Sequence, residues 1–150
     1  MMEGTYFITS EVAWAFFNTD HFWEQNKIDG KTIKDLEILM KDGYHLGYYH
    51  NDVLICATKV EQVNDMDGEV HTYVNPAYLK LSEIALKSHI DFLAHKQGYR
   101  QLYTVSSNVN QSCYNFLRKR LGFHTYQVDT ECPVTRDGEQ LIIYKMVRVL

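Results

Sequence analysis

Proline is nearly missing from this sequence. Pro76 and Pro133 are the only two, and both fall between stretches of periodic hydrophobicity, so no proline-rich linker divides the chain. Cysteine is scarce as well. Cys56, Cys113 and Cys132 are too few and too scattered for a disulfide framework, which points to a reducing cytoplasm. No apolar run approaches the ~20 residues that a membrane helix needs; the longest block is Ala13-Trp14-Ala15-Phe16-Phe17. Met1-Met2-Glu3-Gly4 carries no basic segment ahead of an apolar core, so no signal peptide is expected. Basic residues do not dominate either. Fifteen Lys+Arg stand against 19 Asp+Glu for a net charge of -4, which argues against nucleic acid as a partner, as the hydropathy argues against membrane. Repeats and low-complexity tracts are absent.

What is present is enough apolar material for a core. With 45% hydrophobic residues over 150 positions, the chain reads as one domain, residues 1–150. A domain of that size buries roughly two-thirds of its unfolded surface. Residues 6–9 read as a short strand. Ser10 then caps a helix whose bulky face is Val12, Trp14, Ala15, Phe16 and Phe17. Residues 18–30 are mixed, although Phe22 and Trp23 need burial. Thr32 and Asp35 have capping-box spacing, Ile33, Leu36, Leu39 and Met40 follow at helical spacing, and Gly43 ends the helix.

Three strands come next, at 44–50, 53–63 and 69–74, rich in β-branched and aromatic residues and joined by turn-forming His50-Asn51-Asp52 and Asn64-Asp65-Met66-Asp67-Gly68. They predict an antiparallel meander. A helix follows, starting either at Asn75-Pro76 or at Ser82-Glu83 and ending before Gly98. Residues 102–105 form a short buried strand and 110–121 a helix stopped by Gly122. Strands at 123–128 and 141–149 flank a loop with Pro133 and Asp137-Gly138. The order is β-α-α-β-β-β-α-β-α-β-β. A helix joining two strands of one sheet implies a right-handed crossover and a parallel pair. The fold class is therefore α/β, with a mixed, mostly antiparallel sheet and flanking helices.

Two local patterns carry a family resemblance. Asn110-Gln111-Ser112-Cys113-Tyr114-Asn115-Phe116-Leu117, closing at Leu121-Gly122-Phe123, resembles the Asn-led helix of the GNAT acetyl-CoA-dependent N-acyltransferases. Val74-Asn75-Pro76-Ala77-Tyr78 is similar to the Val-x-Pro-x-Tyr that leads that family's pyrophosphate loop. The resemblance implies a GNAT-like domain whose central parallel strands splay apart, with acetyl-CoA as cosubstrate. It implies acyl transfer to a primary amine of a small molecule or protein. The sequence also departs from the pattern. Leu79-Lys80-Leu81-Ser82-Glu83-Ile84 has neither loop glycine, and Leu117 stands where the family places a tyrosine acid. Such degenerate forms resemble small GNAT-like proteins of tailed bacteriophages. The alternative function is accordingly a non-catalytic protein-binding domain in virion assembly, with a phage protein or a second copy as partner.

The resemblance and the residues together nominate a site. Glu69, His71 and Tyr73 alternate on one face of the strand that would flank the acetyl group. Histidine titrates near neutrality, and Glu69 would act on the amine directly or through water; a solvated polar strand face is the other reading. Tyr114, one turn before Leu117, either replaces the missing acid or packs with its hydroxyl at the surface. Asn110 holds pantetheine, caps its helix, or does both. Val74, Lys80, Leu81, Ser82 and Ile84 are the expected cofactor-binding residues of the loop. Glu83 is expected to repel phosphate, offset in part by Lys80. Arg118, Lys119 and Arg120 either meet a nucleotide phosphate or answer the helix dipole. The aromatic residues Trp14, Phe16, Phe17, Phe22 and Trp23 fall where the family builds its acceptor-side cap, and core packing accounts for most of them. Seven histidines show no metal-ligand spacing, so no metal is expected. Cys113 reads as a small buried residue.

Overall fold

A computed structural model describes residues 1–150. Strand β1 (Gly4–Ile8) leads into α1 (Ser10–Phe17). The cap of α1 is Thr9 rather than Ser10: its hydroxyl accepts the Val12 N–H at 3.1 Å. Residues 18–30, which showed no clear pattern, contain a further helix, α2 (Asp20–Asn26). Seven residues are too few to display a helical period. The helix forms because Thr19 caps it and because Phe22 stacks on Phe17 at 5.3 Å between ring centres. In α3 (Ile33–Lys41) the capping box is complete, with the Asp35 carboxylate accepting the Thr32 N–H at 2.8 Å and the Thr32 hydroxyl accepting the Asp35 N–H at 3.3 Å. Gly43 follows at φ +74°, where a Cβ would also stand 2.3 Å from the Val60 carbonyl oxygen. Only glycine serves there.

The meander is β2 (Tyr44–His50), β3 (Val53–Gln62) and β4 (Asp67–Val74), antiparallel throughout. Its first turn has Asn51 and Asp52 both at positive φ, the conformation of a two-residue hairpin whose twist matches the strands. After β4 both suggested helix starts are used. Asn75 accepts the Ala77 N–H at 3.0 Å and opens a 3₁₀ turn, Pro76–Leu81, and α4 (Ser82–His95) begins directly behind it. The chain continues through β5 (Gln101–Ser107), α5 (Gln111–Lys119) and β6 (His124–Asp129). A small hairpin of β7 (Thr135–Arg136) and β8 (Glu139–Gln140) precedes β9 (Ile143–Val149).

The seven-stranded sheet has the order β1-β2-β3-β4-β5-β9-β6. Its one parallel contact is between β4 and β5, where only 67–69 pair with 101–103. Beyond Glu69 and Tyr103 the strands part, as the expected splay requires. Each face of the sheet carries its own core. Helices α4 and α5 cover one, burying Leu86, Ile90, Leu93, Leu117 and Leu121 against Val70, Leu102 and Met146. Helices α1–α3 cover the other, around Ala13, Phe17, Phe22, Met40, Ala57 and Tyr73. Fully burying a side chain such as Phe17 contributes about 1.5–3 kcal/mol. No helix is long and apolar enough to cross a membrane.

Candidate active site

The site begins with the alternation of β4. Val70 packs in the α4–α5 core and Tyr73 in the α1–α3 core, so Glu69, His71 and Tyr73 share the α1–α3 face. The Thr104 hydroxyl donates to the Val70 carbonyl at 2.8 Å across the start of the splay. The even residues of β4 therefore aim their backbone groups at the gap, and beyond the ladder those are the groups of Thr72 and Val74. A cavity of about 680 Å³ runs through this opening and is lined from both faces of the sheet. Trp23, Leu36, Leu39, His71 and Tyr73 line it on one side, and Leu86, His89, Cys113 and Leu117 on the other.

His71 Nε2 stands 2.9 Å from Glu69 Oε1. This bond holds the Glu69 carboxyl below its usual range, against the opposing effect of burial, and the charges of His71 and Lys59 act in the same sense. In the cross-strand register His71 sits opposite Lys59, and Glu69 opposite Glu61. Lys59 is buried, donating to the Leu39 carbonyl at 2.6 Å and pairing with Glu61 at 2.8 Å. A row of charge thus crosses the sheet beneath the cavity. His71 faces the cavity itself, while Glu69 opens on an adjoining hollow with Tyr103, Val105 and Lys145. The Tyr73 hydroxyl is shared between His21 Nδ1 at 2.9 Å and Thr19 at 3.2 Å.

The other nominated residues separate. Tyr114 lies apart from the cavity. Its ring stacks on Tyr144 at 4.1 Å, Arg118 covers it, and its hydroxyl is 2.7 Å from Thr125 Oγ1, so it braces α5 against β6. Asn110 lines the cavity and also caps α5, accepting the Cys113 N–H at 3.1 Å. Leu117 is buried on the cavity wall. Cys113, expected to be buried, is exposed on that wall, though its surroundings hold the thiol above the ordinary range. Of the five early aromatics, Phe22 and Trp23 line the cavity, and Trp14, Phe16 and Phe17 belong to the core.

Val74, Lys80, Leu81, Ser82 and Ile84 come together around the 3₁₀ turn and the first turn of α4. No residue from 75 to 84 has a positive φ, so the backbone there makes no conformational demand for the missing glycines. Ser82 is buried and its hydroxyl donates to the Leu79 carbonyl at 2.7 Å, while Lys80 and Ile84 are exposed. No side chain caps the start of α4, which leaves its first N–H groups without a side-chain acceptor. The charge of Glu83 is offset by Lys87 at 3.7 Å and Arg120 at 3.9 Å rather than by Lys80.

One part of the site had no pattern in the sequence. The β7–β8 hairpin folds back over the α2–α3 loop and is held by Asp29. The Asp29 carboxylate accepts from the Thr135 hydroxyl at 2.8 Å, the Asp137 N–H at 3.0 Å and the Gly138 N–H at 2.9 Å. Asn108 anchors the strand behind it, exchanging two bonds with Ile142 at 3.1 and 3.0 Å. The hydrogen bonds from Gly138, Thr135 and Asp137 hold the Asp29 carboxyl below the ordinary value of 3.8. A depressed carboxylate stabilises the folded form above its unfolded pKa and loses that contribution as pH falls through the folded value. The clamp should therefore be intact at neutral pH and released in acid. Asp29→Ala should accelerate hydrogen exchange at the Asp137 and Gly138 amides at pH 7 while leaving β3 and α4 unchanged. Equal protection in both proteins would show that the hairpin is held by something else.

No protein-family model matches the sequence, and no curated protein matches it. Solved structures do. A GNAT-family acetyltransferase from Streptococcus pneumoniae superposes with a TM-score of 0.68 at 15% identity, covering 97% of this chain and 98% of that one. A variant of the spermidine N-acetyltransferase from Vibrio cholerae gives 0.72 at 12% identity over 97% and 94%. The ribosomal-protein-S5-alanine acetyltransferase from Vibrio fischeri gives 0.69 at 12% identity over 99% and 94%. The chain has the GNAT fold. These structures lend no support to the phage-protein resemblance.

Proposed function

We propose that this protein transfers an acetyl group from acetyl-CoA to a primary amine in the cytoplasm. The observation that carries the reading is the Glu69–His71 pair, set on the strand that borders an open parallel splay in a GNAT fold. With Nε2 bound to Glu69, the His71 ring, when neutral, has Nδ1 free to accept a proton from the acceptor's ammonium, which releases the nitrogen lone pair to attack the thioester carbonyl. Glu69 stays ionised and stabilises the imidazolium that results. The backbone N–H groups of Thr72 and Val74, aimed at the gap, are donors for a carbonyl oxygen on which negative charge develops. Leu117 offers no acid, so the departing sulfur takes up the second proton, which the amine nitrogen sheds as the tetrahedral intermediate collapses.

The residues present fit the cosubstrate. The splay admits an extended chain between β4 and β5. The first N–H groups of α4, with Lys80 and Arg120 near them, suit a pyrophosphate. Acetyl-CoA would supply the activated acyl group. Backbone wrapping is less complete than a glycine loop allows, so affinity should be modest for this fold.

Calorimetric titration with acetyl-CoA, together with thiol release in the presence of a panel of amines, tests the proposal. Micromolar binding with amine-dependent thiol release is the expected result. No binding at millimolar acetyl-CoA would overturn it and favour a protein-binding role.

A further inference from the structure

We infer that the acceptor is a small amine that also carries a carboxylate and an apolar side chain, and that Arg136 is the residue that pairs with the carboxylate. The inference deepens the transferase reading and rests on it for the word acceptor. The anion site itself stands on separate observations.

Arg136 lies on the hairpin that Asp29 clamps, one residue before a turn whose Asp137 and Gly138 both have positive φ. The turn and clamp fix its backbone, and its side chain lines the cavity. Its Nη1 is shielded from solvent and has no hydrogen-bond partner. Nη2 only approaches Glu24, at 4.0 Å, and Glu24 is already paired with Lys27 at 3.0 Å. An unsatisfied guanidinium N–H costs free energy that a carboxylate in the cavity would recover once the guanidinium turns Nη1 toward it, and the fork of an arginine matches a carboxylate in shape.

The rest of the lining agrees. Of the charges on it, Lys27 is paired with Glu24, and Asp35 caps α3 with Lys31 acting on it. That leaves Arg136 as the cation of the lining without a close partner. An anionic group on the acceptor is drawn to that guanidinium. Trp23, Ile28 and Leu141 add apolar surface to the lining for a side chain. His71 lines the same cavity and would receive the amine's proton.

The test separates binding from turnover. Calorimetry should show N-acetyl-leucine binding roughly ten- to a hundredfold more tightly than N-acetyl-leucinamide, the range expected for a charge-assisted hydrogen bond. Arg136→Met should abolish that difference and Arg136→Lys restore part of it. In acetyl transfer, leucine should be preferred over leucinamide and spermidine, and Arg136→Met should raise KM for leucine with kcat nearly unchanged. Equal binding of the acid and the amide, or unchanged binding in Arg136→Met, overturns the inference whether or not transfer occurs. Preference for spermidine overturns it as well. Transfer to no amine, with Arg136-dependent binding intact, overturns the transferase reading and leaves Arg136 as the anion site of a binding protein.

Discussion

Replacing His71 with Gln is expected to lower kcat by roughly 10²–10³-fold, the scale of a lost general base, with acetyl-CoA affinity changed by less than about twofold. The amine enters as an ammonium and cannot attack until it loses a proton. In the proposed mechanism His71, on the cavity wall with Nδ1 left free, takes that proton. Glutamine keeps much of the polarity and can still bond Glu69, so the fold is preserved while the base is removed. Glu69→Gln should cost less, about tenfold in kcat. An amide oxygen can still accept from Nε2 and hold the ring, but it no longer offers a charge to the imidazolium. Glu69 opens on a neighbouring hollow rather than on the main cavity, so the proposed mechanism has it act through His71. The contrast between the two variants checks this order. Full activity in both, on a known acceptor, would place the base elsewhere, and equal large losses would make Glu69 a direct participant.

A second large effect concerns stability in acid. His89 on α4 is fully buried, with Nδ1 at 2.7 Å from the Thr58 hydroxyl and Nε2 without a partner. Burial pushes its pKa down from 6.5 to about 3, an effect only partly opposed by the Gly47 backbone. Between these values the unfolded chain binds a proton that the folded chain refuses. The stabilisation by neutral His89 is thus complete above pH 6.5 and disappears as pH falls toward 3. The slope is about 1.4 kcal/mol per pH unit, so roughly 2 kcal/mol should be lost between about pH 6.5 and 5, before most carboxylates titrate. Urea denaturation of the wild type and of His89→Gln across that interval isolates the contribution. The variant should start less stable at pH 7 and show a flatter dependence. Parallel curves would mean that His89 protonates in the folded state without penalty.

Much of this architecture was legible because it is local. Thr32 and Asp35 close a capping box through atoms three residues apart, and Asn110 caps α5 the same way. A meander announces itself through strand composition and short turns. The alternation of Glu69, His71 and Tyr73 follows from the two-residue period of a strand, so their shared face could be read before any coordinates. The absent glycines were equally plain. Their consequence was not, because the 3₁₀ turn at Pro76–Leu81 uses backbone angles open to any residue.

The residues themselves determined the order of elements apart from α2 and the β7–β8 hairpin, the parallel pair implied by a crossover helix, and the candidate base. Tertiary structure alone decided which side chains meet. Tyr114 is placed like an acid in sequence, yet its hydroxyl is used by Thr125 on another strand. Helix α2 exists through a cap and a stacking contact, without a period of its own. Asp29 finds Thr135, Asp137 and Gly138 more than a hundred residues away, and so sets Arg136 in the cleft. Spacing along a chain encodes only the periodicities of helix and strand. A contact across that distance depends on how the sheet twists and where its loops return, which is set by the packing of the whole chain.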